Sequence, residues 1–570
     1  MIQRRRIGVM ALGTLAMLAL LFARVVDVQA LAASGYAAYG ANEQFQTVPL
    51  PAIRGTLYDR NGNVLATSVP RVDVVADDFL IHPASLASRY AAELAPVLHV
   101  GSSMLVSELT RKSGYVPLAL DVTQAVGDKV AALALPFVSF VPTQLRQDPA
   151  GSLFSPLLGV VGWDGKGMSG LEYQYQQLLS GKAGSEQVAI GSAGEQLPGG
   201  ARALRPAAQG KGLVLSLDEP LQYEVTKALG AQVLAQHAYS GVCVVLDTHT
   251  GGVLAMVNLQ RQGNKVVPAT QNLATNAVYQ PGSVMKIATF SGALQEHLIT
   301  PSERLTVPFT TWVGGWPFQD AEFHPTEQMP VSQILAQSSN VGTIEIAHML
   351  GAARLDYYLH QLGFGRPTAL DWPGQSDGLL PPLSSWSGSD MGTIPIGTGE
   401  AVTAMQIVDA YNTVADGGVY LPPRLVEGVV GPNGRERLLA DHGAHRVLDP
   451  STVAELVPML EDVTAGGTGV LAQIPGYQVA GKTGTAQIPS TTHAGYQPGA
   501  WNATFVGFVP AGNPQLTAVV MLHHPTAMYG GSASAPVFAT IMRYALRHFD
   551  ISPSGASGLS GTASGTLSAP

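Results

Sequence analysis

Seventeen consecutive residues without a charge, Ile7 to Ala23, follow Arg4, Arg5 and Arg6 and end at Arg24. A membrane-spanning helix needs about 17–25 such residues, because the hydrocarbon core is about 30 Å thick. The run predicts a transmembrane anchor over 7–24 with a cytoplasmic stub over 1–6, since arginines favour the cytoplasmic side. Arg24 can snorkel to the interface. The rest of this single-pass chain then lies outside the cytoplasm, on the periplasmic side of an inner or plasma membrane. A cleaved signal peptide is the competing reading, with "ALAAS" (30–34) able to host cleavage. An apolar signal core is usually about 7–15 residues, shorter than this run, which favours the anchor.

The chain has 570 residues, enough for several domains at about 100–200 residues each. Hydrophobic residues make up 46% and charged ones 12%, a globular composition. The net charge is −9 and no long basic run occurs, so nucleic acid is not an expected partner. The one cysteine, Cys243 in "GVCVVLD", excludes an intrachain disulfide. Its apolar flanks read as a buried strand, whereas a reactive thiolate wants an electropositive, partly exposed site.

Residues 25–210 mix short strands, helical patches and Gly-rich turns, and read as a pedestal or docking domain. Within it, "DRNG" (59–62) between alternating runs predicts a β-hairpin. "ADDFLIHP" (76–83) gathers two aspartates and a histidine, yet lacks the glutamate and spacing of a glycosyltransferase motif, and reads as structural. Texture changes at 211. A strand over Leu213–Leu217 leads into a helix near Glu219, with Pro220 at an early helical position. Two strands flank the turn at Thr248–Gly252, and three more are expected in "GYQVAGKTGTAQI", "WNATFVGFVP" and "QLTAVVMLHHP". A terminal helix follows in "PVFATIMRYALRHF". The pattern over 211–550 predicts an α+β domain whose sheet of about five strands is split by a largely helical insertion, 283–470. The Ser/Gly/Ala-rich stretch 551–570 reads as a flexible tail.

Three short patterns inside that domain carry chemistry: Ser283-Val284-Met285-Lys286, Ser338-Ser339-Asn340 and Lys482-Thr483-Gly484-Thr485. S-x-x-K, S-x-N and K-T-G each occur once. They fall at a helix start, an inter-helix turn and a strand. Residues three apart share a helix face, so Ser283 and Lys286 meet. A serine hydroxyl needs a base to become a nucleophile, and a lysine serves once neutral. Burial or a nearby cation lowers a lysine pKa, a shift arginine cannot make. That explains a lysine at 286 in a chain with 22 Arg and 9 Lys. Backbone N–H groups at the helix start can stabilise negative charge on the reacting group. Lys482 can hold a substrate carboxylate, with the Thr483 and Thr485 hydroxyls beside it. Gly484 lets a substrate backbone approach the strand. Ser338 can relay a proton to a leaving amine, and Asn340 can hold Lys286 and a substrate carbonyl.

These residues resemble the penicillin-recognising serine transpeptidases, the grouping shared by penicillin-binding proteins and serine β-lactamases. "RGTLYDRNGNVLA" (54–66) and "SGLEYQYQQLLSGKAG" (169–184) are similar to the pedestal of class B penicillin-binding proteins. "LGFGRPTALDWPGQSDGLLP" (362–381), "GTGEAVTAMQIVDAYNTVADGGVYLPP" (397–423) and "ATFVGFVPA" (503–511) resemble the catalytic domain. The resemblance implies a five-stranded antiparallel sheet flanked by helices, a helical subdomain and an elongated mixed α/β pedestal. It implies a substrate, the peptidoglycan stem peptide ending in D-Ala-D-Ala, with Ser283 attacking the penultimate carbonyl and Lys286 as general base. The N–H groups of Ser283 and Thr485 would form the oxyanion hole, and β-lactams would acylate Ser283. It implies no metal or organic cofactor. "SSNVG" and "GFGRPT" are similar to the division (septal) type, while "MGTIPIGTGE" departs from it. A septal enzyme implies a polytopic glycosyltransferase and small bitopic division proteins as partners.

The elongation-type class B enzyme is the nearest alternative. A β-lactamase needs neither anchor nor pedestal, a silent scaffold would have lost a motif residue, and a β-lactam sensor would want a cytoplasmic effector. A carboxypeptidase with water as acceptor stays open.

Overall fold

The computed structural model describes residues 2–36, 45–189, 202–370, 372–439 and 443–554. The chain forms two compact units. The smaller comprises Met1–Gly55, Ser68–Gln147 and Ser180–Gly210; the larger comprises Thr56–Thr67, Asp148–Leu179 and Lys211–Pro570.

In the smaller unit, helix α1 (Ile2–Val26) carries the uncharged run and extends two residues past Arg24. At 1.5 Å per residue its 25 residues reach about 38 Å. By length and composition it can cross a membrane. A three-stranded antiparallel sheet pairs Phe45–Leu50 with Gly184–Ala189, and that strand with Arg202–Arg205. A separate core gathers Val74, Ile81, Leu94, Leu105, Val116 and Phe137. Asp77 caps the short turn 78–80 through Phe79 N, and the buried Asp78 carboxylate accepts from Ser113 N and Gly114 N. Those backbone hydrogen bonds hold its pKa below the usual carboxylate value against the opposing effect of burial. "ADDFLIHP" thus forms a capped turn.

The larger unit is built on a six-stranded antiparallel sheet. Its strands are β1 (Ser240–Asp247), β2 (Val253–Gln262), β3 (Lys265–Pro268), β4 (Ala480–Pro489), β5 (Tyr496–Val509) and β6 (Leu516–His523), in spatial order β3-β2-β1-β6-β5-β4. Five of them are the expected strands. The sixth, β3, is a short hairpin partner of β2 around Gly263, which has φ +61°. The alternation in β1 sends Val242, Val244 and Leu246 to one core and Cys243 and Val245 to the other. A strand buried on both faces reads as a continuous apolar run. Cys243 is such a core residue, and burial pushes its thiol pKa up.

Helix α2 (Glu219–Ala235) starts where expected, with Asp218 as its N-cap and Pro220 as its second residue. Together with α8 (Ala535–His548) it covers the Cys243 face through Leu221, Val225, Phe538 and Met542. The opposite face is covered by α3 (Lys286–Gln295) and α6 (Ala404–Ala415), through Ile287, Phe290, Met405 and Val408. Each such side chain contributes about 1.5–3 kcal/mol on full burial. The insertion adds α4 (Val331–Ala336), α5 (Asn340–Leu350) and α7 (Pro450–Ala465). It also holds three short ribbons that the helical reading of 283–470 did not anticipate. One of them, Thr310–Val313 with Trp316–Gln319, turns on Gly314 and Gly315, both at positive φ. Paired positive-φ positions suit a tight hairpin.

Two segments read as pedestal pack with the larger unit instead. In the 56–67 hairpin, the buried Asp59 carboxylate accepts from Asn61 N and Asn63 N, closing the predicted turn. Leu57 and Tyr58 then pair in parallel with Leu213 and Val214. Leu157, Leu171 and Leu179 join the core around Leu213 and Leu215. The Leu213–Leu217 strand therefore belongs to a second sheet, not the central one. Of the predicted flexible tail, 551–554 is fixed, with Tyr477 Oη donating to Ile551 O at 2.6 Å. Residues 555–570 lie outside the described residues.

A side chain at Gly397 (φ +82°) would place its Cβ 2.0 Å from Gly282 O. Gly466 (φ −150°) has open space at the same position. Gly397→Ala is expected to destabilise the larger unit by roughly 2 kcal/mol or more, and Gly466→Ala to stay within roughly 0.5 kcal/mol. Thermal unfolding of the two variants checks this; equal effects would contradict the close approach.

Candidate active site

The turn carrying Ser283 is set by backbone. Residues Gly282–Met285 form one turn of 3-10 helix, and the α-helix proper begins at Lys286. Gly282 sits at φ +61°, donates its N–H to Gly397 O at 2.9 Å, and leaves no room for a Cβ, which would meet Thr485 O at 2.6 Å. Tyr279 pairs with Val402 on one side, and the buried Tyr411 hydroxyl of α6 donates to Val284 O at 2.9 Å. The Ser283 turn is thereby wedged against β4. Glycine at 484 has an origin beyond the expected room for a substrate: a Cβ there would meet Pro281 O at 2.6 Å.

Lys286 is fully buried. Its Nζ donates to Ser338 O (2.6 Å), Ser339 O (3.0 Å) and Asn340 Oδ1 (2.9 Å), with Ser338 Oγ at 3.3 Å. The first three partners only accept. The Ser338 hydroxyl alone can turn its proton toward a neutral amine. Ser338 adopts φ +63°, which points its carbonyl and hydroxyl together at Nζ. Among the described residues, no hydrogen bond joins Ser283 to Lys286; such contacts are often long before substrate binds. Burial, opposed by the charge of Asp320, brings the Lys286 pKa down to about 7.

Lys482, also fully buried, donates to its neighbour's carbonyl, Thr483 O, at 3.2 Å. Burial first, and then the charge of Lys286, push its pKa well down. Two adjacent buried amines resist holding two protons at once. Lys286 has more acceptors and the Asp320 field, so it keeps its proton more firmly than Lys482. Thr483 Oγ1 lies 2.6 Å from Thr468 Oγ1, and Thr485 Oγ1 accepts from Gly530 N at 3.2 Å. All eight residues singled out by sequence thus lie on the Ser283 turn and the start of α3, the Ser338–Asn340 turn or β4, and the first two segments meet at Lys286 Nζ.

Asp320 escaped the sequence reading. Its carboxylate accepts from Ser339 Oγ (2.7 Å), Asn340 N (2.5 Å) and Val341 N (2.9 Å), capping α5. Nothing in the spacing of "FQDAEFHP" signals this, because the contact spans some twenty residues. Asn340 Nδ2 donates to Gln319 O at 3.0 Å, which turns its amide oxygen toward Lys286. Among the described residues, no group of three His, Cys, Asp or Glu is placed to hold a metal ion.

With this geometry in view, similarity to known proteins is informative. Residues 241–543 match the penicillin binding protein transpeptidase domain, and residues 49–215 the penicillin-binding protein dimerisation domain. Penicillin-binding protein PbpB of Mycolicibacterium smegmatis is 32% identical, covering 95% of this chain and 90% of its own. Peptidoglycan D,D-transpeptidase FtsI of Escherichia coli K12 is 30% identical over 94% and 90%. A crystal structure of penicillin binding protein 3 from Mycobacterium tuberculosis, complexed with aztreonam, superposes with a TM-score of 0.70 at 28% identity, covering 89% of this chain and 98% of that one. The chain belongs to the class B penicillin-binding proteins, with the paired pedestal and transpeptidase architecture of that family.

Folding lowers the Lys286 pKa from its ordinary 10.5 to about 7, so between those values the unfolded chain binds the extra proton. Stability carried by this residue therefore rises with pH across that window and is poorest below pH 7. The stability of wild type relative to Lys286→Met is expected to climb between pH 7 and 10, by at most about 1.4 kcal/mol per pH unit. Urea denaturation across pH measures it; a flat difference would mean the fold retains an ammonium.

Proposed function

We propose that this protein is a peptidoglycan D,D-transpeptidase that cross-links stem peptides through a Ser283 acyl-enzyme and is acylated by β-lactams. The observation that carries the reading is the buried Lys286 amine, held only by neutral oxygens beside the Ser283 turn. Family membership and relatives named as D,D-transpeptidases support it.

Ser283 Oγ attacks the penultimate D-Ala carbonyl while its proton passes to neutral Lys286 Nζ. The oxyanion forms between the N–H groups of Ser283 and Thr485, whose backbones approach where Gly282 meets Thr485. A single oxyanion donor typically contributes about 10²–10³ in rate. Collapse breaks the peptide bond, and the leaving amine of D-Ala takes a proton through Ser338. The amine of a neighbouring strand then attacks the ester, displaces Ser283 Oγ and forms the cross-link. Lys482, with Thr483 and Thr485, receives the terminal carboxylate. β4 is an edge strand, so a substrate can add alongside Gly484.

We assign α1 as a single-pass anchor with its arginines cytoplasmic and the remainder extracytoplasmic, following the positive-inside rule. On that basis 25–210 is the pedestal and 211–550 the catalytic domain, with the 56–67 and 148–179 segments buttressing the latter. Similarity to FtsI supports a septal role. A polytopic glycosyltransferase and small division proteins are the partners that role implies.

Fluorescent penicillin is expected to label the wild type stably and Ser283→Ala not at all. Lys286→Ala should lower acylation by about 10²–10⁴. The wild-type rate should rise about tenfold per pH unit below pH 7 and level off above it, as Lys286 loses its proton. Label released within minutes would point to hydrolysis, and undiminished labelling of Ser283→Ala would dismiss the nucleophile.

A further inference from the structure

The Asp320 carboxylate has a fourth partner. His324 Nε2 lies 3.0 Å from Asp320 Oδ2, and His324 Nδ1 lies 2.8 Å from Pro325 O. Both partners accept and neither can donate, because Asp320 is already the acceptor for Ser339 Oγ, Asn340 N and Val341 N. Both ring nitrogens therefore face acceptors, an arrangement that favours the doubly protonated imidazolium. The Phe309 ring meets it edge-on at 6.1 Å, and Glu327 approaches Nδ1 at 3.6 Å. The His324 side chain is 18% exposed and that of Asp320 is 7% exposed, so the pair is shielded but within reach of solvent protons.

The geometry points to His324 and Asp320 as a positioning pair: the carboxylate fixes the Ser338–Asn340 turn, and the imidazolium sets how much negative charge Lys286 feels. The inference rests on the Ser283–Lys286 reading above and adds a titratable group that never touches substrate. Asp320 does not contact Nζ, and it acts on the amine through its field and through the turn it caps. The charged groups bearing on Lys286 are Asp320 and Lys482; those bearing on His324 are Asp320 and Glu327. The Pro325 carbonyl, followed by the carboxylates and opposed by partial burial, raises the His324 pKa above its ordinary value. A protonated ring offsets the Asp320 charge, and Lys286 then releases its proton more readily. Without the ring's proton, Asp320 stands alone and holds the proton on Lys286.

The two members therefore have opposite signs. His324→Gln can still donate to Asp320 but carries no charge. The limb of acylation against pH, read with fluorescent penicillin, should move up by roughly half a pH unit, which is about a threefold loss of rate on that limb. Asp320→Asn removes the charge and the Oδ2 acceptor of Ser339 Oγ and His324 Nε2, while its amide oxygen can still accept from Asn340 N and Val341 N. Its limb should move down, on a plateau lowered at least several-fold. A role confined to holding the loop predicts lower plateaus with both limbs unmoved, and that outcome overturns the inference, as does a shift of both limbs in one direction. Should Asp320→Asn fail to fold, the limb of His324→Gln decides alone. A wild type that is not acylated fails before any variant is compared, and dismisses the Ser283 reading together with this one.

Discussion

Everything in the catalytic half of this protein depends on burying one amine without letting an acid touch it. A carboxylate bonded to Lys286 Nζ would fix it as an ammonium, since an adjacent opposite charge favours the charged form. The fold supplies two carbonyls, an amide oxygen and a hydroxyl instead. Those partners satisfy the ammonium's hydrogens but return little of its lost solvation, which is why its pKa descends to about 7. The nearest acid, Asp320, is spent on backbone N–H groups and Ser339. The same carboxylate that would fix Lys286 as an ammonium by contact builds its cage from one step away.

The cage requires backbone where most folds would put side chains. Glycines at 282, 397 and 484 each stand where an added Cβ would strike main-chain atoms: Thr485 O, Gly282 O and Pro281 O respectively. Two segments far away in sequence, around 397 and 484–485, thus close on the Ser283 turn with main chain against main chain. Such contacts cannot yield as a flexible side chain does. The sheet and the helical insertion serve this convergence, for β4 comes from the end of the domain while the Ser283 turn comes from its start. Burial of both sheet faces makes the convergence rigid.

Much of this was legible in sequence, for identifiable reasons. Alternation and apolar runs mark β1, β2, β4, β5 and β6, and Pro220 marks the start of α2. The three motifs locate the site because their residue types are chemically constrained. What was not legible depends on distance. The hairpin at 56–67 reads as a hairpin, but nothing local says that Leu57 will pair with Leu213. β3 and the ribbon at 310–319 are short pieces whose turn glycines are their only signal, and the ribbon of 304–307 with 327–330 pairs segments that no local turn joins. Asp320 and His324 look like any polar loop until Ser339 and Asn340 arrive beside them.

The presence of two buried lysines rather than one lysine and one arginine follows from the same electrostatics. Arginine at 482 would remain charged, and its permanent field would have to be neutralised in the empty site. Lysine, pushed well down by burial and by Lys286, can stand there uncharged. On the proposed reading, an arriving substrate carboxylate reverses that balance. It favours an ammonium at 482, and a cation at 482 in turn disfavours one at 286. The substrate's own charge then helps to free the base beside Ser283, and does so only while the carboxylate is in place. Neutral Lys286 is thereby coupled to a correctly seated peptide end, a selectivity that an unconditionally charged residue at 482 could not provide.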